Sequence, residues 1–487
     1  MKIFDPGRHF SPRNCIFGSM SHRFSRRNFL TLPAAIPFAA FAGRAIADNQ
    51  DVASGLVDLS LEASESWVPI GGRQALLYAF NGSVPGPVVE ARPGDTVRID
   101  FRNNLREATN LHFHGLHISP SGAADNSLLM VDGGESVAYD FTLPNAHPGG
   151  TFWIHPHVHG TSARQVSRGL AMPFIVRGEL DAIPEVQSAP EFVLVLQDFN
   201  LNANGVPLEP SNAERMTGRE GNLIAVSGQL NPTIPVQQDG WVRLRLINAS
   251  SSRFYRLQME EHPLYQIASD GGALPAPQAL DELLLVPGER AEVMIQASRP
   301  PGSYRLLNLP YDRGGSGMMG RPGNGGAAAA NTLLTLVYDG KATQRVSLPS
   351  RLVSVAALTG PSRIRTFDLN QGMGSAMQGG MAFTINGRTF DRQRIDTQVA
   401  LNEVEDWEFN NPTTMDHPMH IHTNPFQVIG ADGVPVPAWK DVVLVPARSR
   451  IRVRTAFRDF VGRAMYHCHI LDHEDLGMMG TVQFNDQ

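Results

Sequence analysis

The sequence predicts an all-β protein made of three tandem β-sandwich domains. Three observations support this fold class: apolar and polar residues alternate with a period of two in several segments, no long segment keeps a helical period, and two short elements recur three times along the chain. The 487 residues are enough for about three domains. The 46 glycines and 35 prolines are typical of many short strands joined by tight turns.

Period-two alternation identifies the segments 97–101 and 242–246 as strands. In each segment, an apolar residue alternates with a polar or charged one. Because successive side chains of a strand point to opposite faces of the sheet, this pattern predicts strands with one buried face and one solvated face.

Two elements recur in the same order along the chain. The first is an alternating strand with the turn before it, at 94–103, 239–248 and, more weakly, 402–410. The second is a glycine turn that leads into an aromatic-containing segment, at 148–153, 301–305 and 462–466. Each repeat spans about 150 residues, which is the usual size of one domain.

We therefore expect domain boundaries near Gly178 and within 341–350, which gives domains of residues 48–178, 179–345 and 346–487. Two glycine-rich segments, 314–330 and 372–380, are predicted to be surface loops near the end of the second domain and inside the third.

The first 47 residues are predicted to be an export signal and not part of the fold. Residues 25–30, Ser-Arg-Arg-Asn-Phe-Leu, match a twin-arginine signature, and an apolar stretch at 29–43 follows. That stretch is too short to span a bilayer, and Ala-Ile-Ala at 45–47 fits a cleavage site. The mature chain is expected to begin at Asp48, and translation is expected to start at Met1 or Met20.

These features predict a soluble periplasmic protein that the twin-arginine translocase exports and that has no membrane segment after cleavage. Removing residues 1–47 takes away seven basic residues and one acidic residue, so the net charge changes from −6 to −12. Such an acidic surface argues against a nucleic-acid partner.

Only one of the two cysteines, Cys468, belongs to the predicted mature chain, because Cys15 lies in the signal. The mature protein can therefore have no internal disulfide. Since Cys468 stands between His467 and His469, a metal is the expected partner of its sulfur.

Most of the 14 mature histidines fall in four short clusters. The clusters are His-Phe-His-Gly at 112–115, His-Pro-His at 155–157, His-Pro-Met-His-Ile-His at 417–422, and His-Cys-His at 467–469 with His473. In a strand, residues i and i+2 share a face, so each His-x-His pair can aim two imidazoles at one metal or at two adjacent metals.

Four such pairs supply eight nitrogens to a shared centre: His112, His114, His155, His157, His420, His422, His467 and His469. Eight imidazoles without a carboxylate or thiolate indicate copper or zinc. Three metals could share them and still leave open positions for a small ligand such as O2.

Cys468 is expected to point away from this centre, because its neighbours on both sides point toward it. A metal at Cys468 could take nitrogens from His417 and His473 and a weak axial thioether from Met478. Two histidines, one cysteine and a distant methionine define a blue-copper electron-transfer site. The tripeptide 467–469 would then join an electron-accepting site covalently to the eight-histidine centre.

Together, the four clusters resemble the copper-binding motifs of multicopper oxidases, the group that contains laccases, ascorbate oxidase and bacterial cuprous oxidases. The resemblance covers essentially the whole mature chain. It implies three cupredoxin-like Greek-key domains, four copper ions (one type 1, one type 2 and two type 3), and one-electron oxidation of a donor coupled to reduction of O2 to water. The copper cluster would lie between the first and third domains, and the second domain would bridge them.

Carried over position by position, the resemblance assigns each motif residue to a copper. The type 2 ligands would be His112 and His420. The type 3 ligands would be His114, His155, His157, His422, His467 and His469. The type 1 ligands would be His417, Cys468 and His473, with Met478 axial. Structural roles are expected for the remaining mature histidines, which are His117, His147, His159 and His262.

Two acids occupy places where the family commonly has residues that deliver protons to O2. They are Asp125, eleven residues after His114, and Glu474, directly after His473. The alternative for each is a solvated surface charge.

The donor is less well defined than the oxidant. Met415, two residues before His417, is similar in placement to a substrate-copper methionine of periplasmic copper-efflux oxidases, and Asp416 adjoins it. Soft thioethers select Cu(I). A methionine-bearing rim could add Met318, Met319, Met373, Met377 and Met381.

We therefore expect oxidation of Cu(I) or another metal ion, with a role in copper tolerance. The first alternative is a phenol-oxidising laccase without that role, because methionines also serve as flexible packing residues and the chain lacks the dense Met/His insert of well-known copper-efflux members. An alternative of another class is a non-catalytic cupredoxin scaffold, like an exported cell-division relative that keeps the fold and loses the ligands. The complete ligand set disfavours the scaffold, and the eight histidines disfavour a copper nitrite reductase.

Overall fold

The computed structural model describes residues 55–314, 330–342, 346–373 and 381–486. Strands dominate these residues, and the longest helices among them have six residues. No helix in the described part of the chain is long and apolar enough to cross a membrane. The predicted signal, most of both glycine-rich loops and several rim methionines (Met318, Met319, Met377) lie outside the described residues, as do the side chains of Met373 and Met381.

The first domain contains eight strands and one short helix. They are β1 (Leu56–Ile70), β2 (Arg73–Phe80), β3 (Val89–Ala91), β4 (Thr96–Asn103), β5 (His112–His114), β6 (Ser136–Thr142), β7 (Gly150–His155), α1 (Ser162–Ser167) and β8 (Met172–Val176). One sheet has the strand order β2-β1-β4-β6, and the other has the order β3-β8-β7-β5. Apolar side chains from both sheets form a buried core.

The second domain opens with a short 3-10 helix, Glu179–Ala182. It continues with α2 (Pro184–Gln187), β9 (Glu191–Phe199), α3 (Asn212–Thr217), β10 (Leu223–Val226), β11 (Thr233–Gln238), β12 (Trp241–Asn248), β13 (Tyr255–Met259), β14 (Leu264–Ser269), β15 (Gly272–Leu280), β16 (Leu283–Leu285), β17 (Arg290–Gln296), β18 (Ser303–Leu309) and β19 (Asn331–Lys341). The two sheets have the orders β10-β9-β12-β17-β14-β15 and β11-β19-β18-β13-β16.

The third domain contains ten strands and one helix. They are β20 (Arg363–Met373), β21 (Met381–Ile385), β22 (Thr397–Ala400), β23 (Val404–Asn411), β24 (His417–Ile421), β25 (Phe426–Val428), β26 (Val442–Val445), β27 (Ser449–Ala456), β28 (Gly462–Cys468), α4 (Leu471–Asp475) and β29 (Met479–Asn485). The two sheets have the orders β21-β20-β23-β27-β25 and β22-β29-β28-β24-β26.

The recurrent sequence elements occupy equivalent places in the three domains. The first element forms β4, β12 and β23, and each pairs in parallel with the first strand of its own domain. The second element leads into β7, β18 and β28. Each domain has two sheets around its own apolar core, which confirms the predicted all-β class with three sandwiches. The domain boundaries stay predictions.

One strand differs from its predicted pattern. In β4, buried and exposed residues alternate as expected, but every residue of β12 is buried. The polar face of β12 carries Arg243 and Arg245, and both form ion pairs with the buried Glu292. Arg245 also donates to the Thr151 hydroxyl of the first domain over 3.0 Å. The expectation of a solvated face was wrong here because another domain covers it, which local alternation does not reveal.

Candidate metal centre

Two antiparallel strand pairs, one from each end of the chain, position the four histidine clusters. In the first domain, His112 on β5 lies opposite His155 on β7. In the third domain, His420 on β24 lies opposite His467 on β28. The pairs face each other across the domain junction, where His112 Nε2 lies 3.4 Å from His420 Nε2. The i, i+2 spacing thus directs imidazoles from both domains at one centre.

All eight predicted cluster histidines are buried and converge in three groups, two of which share His114. Within each group, one ligand nitrogen per residue lies within 4.8 Å of the others. The groups are His112 with His114 and His420, His114 with His155 and His469, and His157 with His422 and His467. Neither ring nitrogen of the buried His469 has a hydrogen-bond partner among the residues that the structure describes. A buried nitrogen without a partner is costly in a protein core, so this arrangement fits a bound cation.

Electrostatics keep seven of these imidazoles in the form that binds metals. Burial, reinforced by the neighbouring imidazoles, lowers the pKa values of seven of them well below the usual range: His112, His114, His155, His157, His422, His467 and His469. A neutral imidazole has one unprotonated nitrogen, which is the atom that coordinates copper or zinc.

Outward-facing hydrogen bonds select which nitrogen stays unprotonated. His112 Nδ1 lies 2.8 Å from Asp125 Oδ1, and His420 Nδ1 donates to the Asp441 carbonyl oxygen over 2.7 Å. The roles of the two ring nitrogens are exchanged in His114, because its Nε2 contacts Asp441 Oδ1 at 2.9 Å while its Nδ1 faces His155. An acceptor on the outer nitrogen fixes the tautomer with the lone pair facing inward.

A second group of ligand atoms lies on the other side of the tripeptide 467–469. Cys468 Sγ is 3.5 Å from His417 Nδ1 and 3.8 Å from His473 Nδ1, and all three residues are buried. The backbone of Met478 is hydrogen-bonded to two of these residues. Its carbonyl accepts from Cys468 N at 3.0 Å, and its N–H donates to the His473 carbonyl at 2.8 Å. One thiol and two imidazoles beside a buried methionine fit a blue-copper site.

The outer nitrogens of these two histidines are held inside the protein. His417 Nε2 lies 3.1 Å from Thr413 Oγ1, and His473 Nε2 donates to the carbonyl oxygen of Met216 on α3 over 3.1 Å. The Phe383 ring stacks on the His473 ring at 3.8 Å. Neither imidazole therefore offers a free N–H at the surface.

Both predicted acids lie beside the eight-histidine centre. Asp125 Oδ1 also accepts from Phe113 N at 2.9 Å, and burial raises the pKa of this carboxyl to about 7. Glu474 is fully buried; its Oε1 accepts from the Ser162 hydroxyl at 2.8 Å, and its Oε2 lies 3.2 Å from His467 Nδ1. Burial, with the nearby Asp475, raises the pKa of Glu474 well above its usual range. Neither acid is a solvated surface charge.

The two residues predicted to bind substrate are both buried. Met415 is 3% exposed, and Asp416 is 7% exposed. Both oxygens of the Asp416 carboxylate are engaged, because Oδ2 accepts from the Tyr311 hydroxyl at 2.7 Å and Oδ1 accepts from Ala447 N at 2.8 Å. Both carboxylate oxygens of Asp416 thus have hydrogen-bond partners within the protein, and a docking role for Met415 or Asp416 stays a prediction.

The four histidines expected to be structural lie outside the metal-ligand groups found among the described residues. His117 Nδ1 and Nε2 lie 2.7 Å from the Thr423 carbonyl oxygen and from Asp459 Oδ2. His147 and His262 are also hydrogen-bonded to carbonyl oxygens, and His159 is exposed beside Phe390.

Sequence reasoning missed two polar residues at the centre, Asp441 and Arg290. The guanidinium of Arg290 contacts both carboxylate oxygens of Asp441, at 2.6 and 2.5 Å. Burial alone would raise the pKa of Asp441, but Arg290 outweighs it and holds the pKa well below the usual range. Neither residue stands in a histidine motif, so only the fold reveals their role.

Family models, curated relatives and solved structures all match this chain. Sequence models of the multicopper oxidase family match residues 63–181, 190–341 and 359–487. The multicopper oxidase mco of Staphylococcus haemolyticus is 29% identical over 415 residues, which cover 83% of each chain. The cell division protein FtsP of Yersinia pestis is 32% identical over 393 residues, which cover 78% of each chain.

A solved structure of a multicopper oxidase from Campylobacter jejuni, described as a metallo-oxidase, matches with a TM-score of 0.79 at 30% identity. The match covers 91% of this chain and 94% of that one. The family matches span most of the chain, and the donor set of imidazoles and one thiol suits copper. We conclude that this chain belongs to the multicopper oxidase family, a family of copper-dependent oxidoreductases.

Proposed function

We propose that the protein oxidises a donor one electron at a time beside Cys468 and reduces O2 to water at the eight-histidine centre, with four bound copper ions. His417, Cys468 and His473, with Met478 axial, would hold the type 1 copper. His112 and His420 would hold the type 2 copper. The type 3 pair would be held by His114, His155, His157, His422, His467 and His469. Copper, when bound, would supply the redox chemistry at both places.

The observation that carries this proposal is the placement of Cys468 between two histidines of the centre. The thiol faces His417 and His473, while His467 and His469 belong to two different histidine groups on the opposite side. One residue thus links the donor side covalently to both groups, which gives electrons a short path through bonds. A scaffold without redox function would not require this complete and connected donor set.

The proton needs of O2 reduction point to the two buried acids. We assign Asp125 and Glu474 to hold and deliver protons, because each lies within 3.2 Å of a nitrogen of a cluster histidine. A pKa of about 7 lets Asp125 exchange a proton near neutral pH. Within the described part of the chain, Asp125 Oδ2 has no hydrogen-bond partner, so it can take up a proton without breaking a hydrogen bond.

For the donor, we favour Cu(I) or another small metal ion over a phenol. Organic donors that hydrogen-bond directly to a type 1 imidazole need a free outer N–H, and here Thr413 and the Met216 carbonyl occupy those positions. A metal ion can instead transfer its electron from a nearby thioether. The proposed role is copper tolerance in the periplasm, after export by the twin-arginine pathway.

The laccase alternative keeps the same two sites and changes only the donor. The scaffold alternative has a specific observation in its favour, which is the similarity to FtsP of Yersinia pestis. Against it stands the burial of every predicted histidine and cysteine ligand in groups of coordinating geometry.

The decisive experiment measures O2 uptake by the copper-loaded protein with Cu(I) and, separately, with a simple phenol. We expect an intense blue colour, and uptake that is faster with Cu(I). The copper-free protein is the control. Uptake only with the phenol would select the laccase alternative, and a colourless, inactive loaded protein would select the scaffold.

Replacing Met415 by leucine tests the docking prediction. The change keeps size and apolarity but removes the sulfur, so KM for Cu(I) should rise while oxidation of an organic donor is largely retained. If Met415 only packs, leucine should replace it at little cost for both donors. The matched control is Met259→Leu, because Met259 is also a buried methionine but lies in the second domain. Equal Cu(I) kinetics in all three proteins would exclude the docking role.

A further inference from the structure

Arg290, the first residue of β17 in the second domain, lies where all three domains meet. Its side chain is buried, and its guanidinium donates five hydrogen bonds. Nε donates to the Thr151 carbonyl of the first domain at 3.0 Å. The other nitrogens donate to the carbonyls of Gly288 and Asp270 and to both carboxylate oxygens of Asp441 in the third domain.

Asp441 in turn contacts two histidines of the centre. Its carboxylate oxygen Oδ1 accepts from His114 Nε2 at 2.9 Å, and its backbone carbonyl accepts from His420 Nδ1 at 2.7 Å. A carboxylate can only accept, so His114 must carry its proton on Nε2. The lone pair of His114 is then on Nδ1, which lies 3.3 Å from His155 Nε2 in the centre.

Two glycines show how tightly the second domain is fitted against this site. A Cβ on Gly115, whose φ is +88°, would lie within about 2.6 Å of the Arg290 Nη2 and Asp441 Oδ2 atoms. A Cβ on Gly288, whose φ is +85°, would lie 2.8 to 2.9 Å from ring atoms of His469. Glycine is required at both positions because the backbone must approach the site so closely.

We propose that Arg290 is a positioning residue of the eight-histidine centre: acting through Asp441, it sets the tautomer and orientation of His114 and so determines whether the centre loads its full copper. The second domain, which supplies no ligand, thereby completes the metal site. This inference rests on the proposed function in one respect, namely that the histidine centre binds copper.

The competing explanation is that Arg290 only fastens the domains together. Arg245 is a matched control for that role, because it is also a buried arginine of the second domain that bonds to Thr151 of the first. Its carboxylate partners are Glu292, Asp181 and Glu191, and no histidine of the described ranges is among its hydrogen-bond or ion-pair partners. A purely structural role predicts the same consequences for Arg290→Met and Arg245→Met.

The test compares the full-length wild type with Arg290→Met, Arg290→Lys, Asp441→Asn, the Arg290→Met/Asp441→Asn double variant and Arg245→Met. Copper per chain, the blue absorption and the type 2 signal in electron paramagnetic resonance are measured after loading. In parallel, ¹⁵N shifts of the His114 ring are measured in the copper-free proteins, with His114→Gln to assign the signal. The second readout reports the tautomer without any metal.

We expect Arg290→Met to keep the blue site and to bind copper at the histidine centre roughly 10- to 100-fold more weakly. The His114 ring should change from one tautomer to a mixture. Asp441→Asn should behave similarly, and the double variant should be no worse than either alone, because the two residues act as one unit. Arg290→Lys keeps the charge but loses the two-point contact with the Asp441 carboxylate, so its copper affinity should lie between those of the wild type and Arg290→Met. It also keeps the test valid if Arg290→Met does not fold.

Arg245→Met should lower thermal stability and leave the ratio of copper between the two sites unchanged. Full copper and an unchanged His114 tautomer in Arg290→Met and Arg290→Lys would overturn the proposal, as would equal copper loss in Arg245→Met. If the wild type itself binds no copper at the centre, the proposed function fails, and the His114 tautomer in the copper-free variants still decides the role of Arg290.

Discussion

Replacing Cys468 by serine is expected to abolish the intense blue absorption and all oxidation of donors, while the histidine centre keeps its copper. Cys468 is the only cysteine after residue 47, so no other thiolate can replace it. Serine keeps the size of the side chain but is a poor ligand for copper in a buried site. Cys468 is not one of the eight predicted ligands of the histidine centre, so the copper bound at that centre should be retained.

The measurement combines the absorption spectrum, copper per chain and O2 uptake of the loaded variant. Ile470→Val is a suitable control, because Ile470 is equally buried two residues away and contributes no ligand. The variant should lose one copper per chain relative to the control. Persistent intense blue absorption in Cys468→Ser would rule out the type 1 assignment.

The copper-free protein is expected to lose stability steeply as the pH falls from about 7 to 5. Nine histidines of the two sites have pKa values below their usual range, mainly because of burial: His112, His114, His155, His157, His417, His422, His467, His469 and His473. In the folded state they stay neutral, whereas in the unfolded chain each takes up a proton below about pH 6.5.

The sign follows from proton binding. A histidine whose folded pKa is lowered contributes stability above its unfolded pKa and loses it as the pH falls, by about 1.4 kcal/mol per pH unit for each group. Four buried acids, Asp125, Glu289, Glu474 and Asp475, have raised pKa values, mainly because of burial, and act in the opposite direction above about pH 4. Nine histidines outnumber four acids, so the net effect is destabilisation at low pH.

This loss of stability can be measured by urea unfolding of the copper-free and copper-loaded proteins. Suitable pH values are about 7.5, 6.5 and 5.5, which bracket the pKa of a histidine in an unfolded chain. The loaded protein is the control, because copper competes with protons for the same nitrogens and should shift the loss of stability to lower pH. Equal urea midpoints of the copper-free protein at the highest and lowest pH would show that these histidines are not held neutral.

Much of the candidate site could be predicted from local spacing. A strand places residues i and i+2 on one face, so His112 and His114 had to point the same way wherever β5 lay. The same rule directs Cys468 away from the two histidines beside it. Because these are properties of a short segment, they do not depend on knowing how the domains pack.

Other features could not be predicted, because they depend on residues far apart in the chain. Nothing near Asp441 in the sequence marks it as a partner of His114, which is 327 residues away. The burial of Arg243 and Arg245 likewise depends on the domain that covers them. Burial of a charge is decided by what packs against it, and that information is spread over the whole chain.

The sequence by itself determined the candidate ligand types, their pairing within strands and the covalent link between the two candidate sites, because each follows from spacing along a single segment. Only the tertiary structure decided which nitrogen of each imidazole faces inward, that Asp441 lies beside the centre and how the second domain takes part. These properties arise from hydrogen bonds between domains: the Arg290–Asp441–His114 chain and the Met216 carbonyl at His473 bring together residues that no local pattern relates.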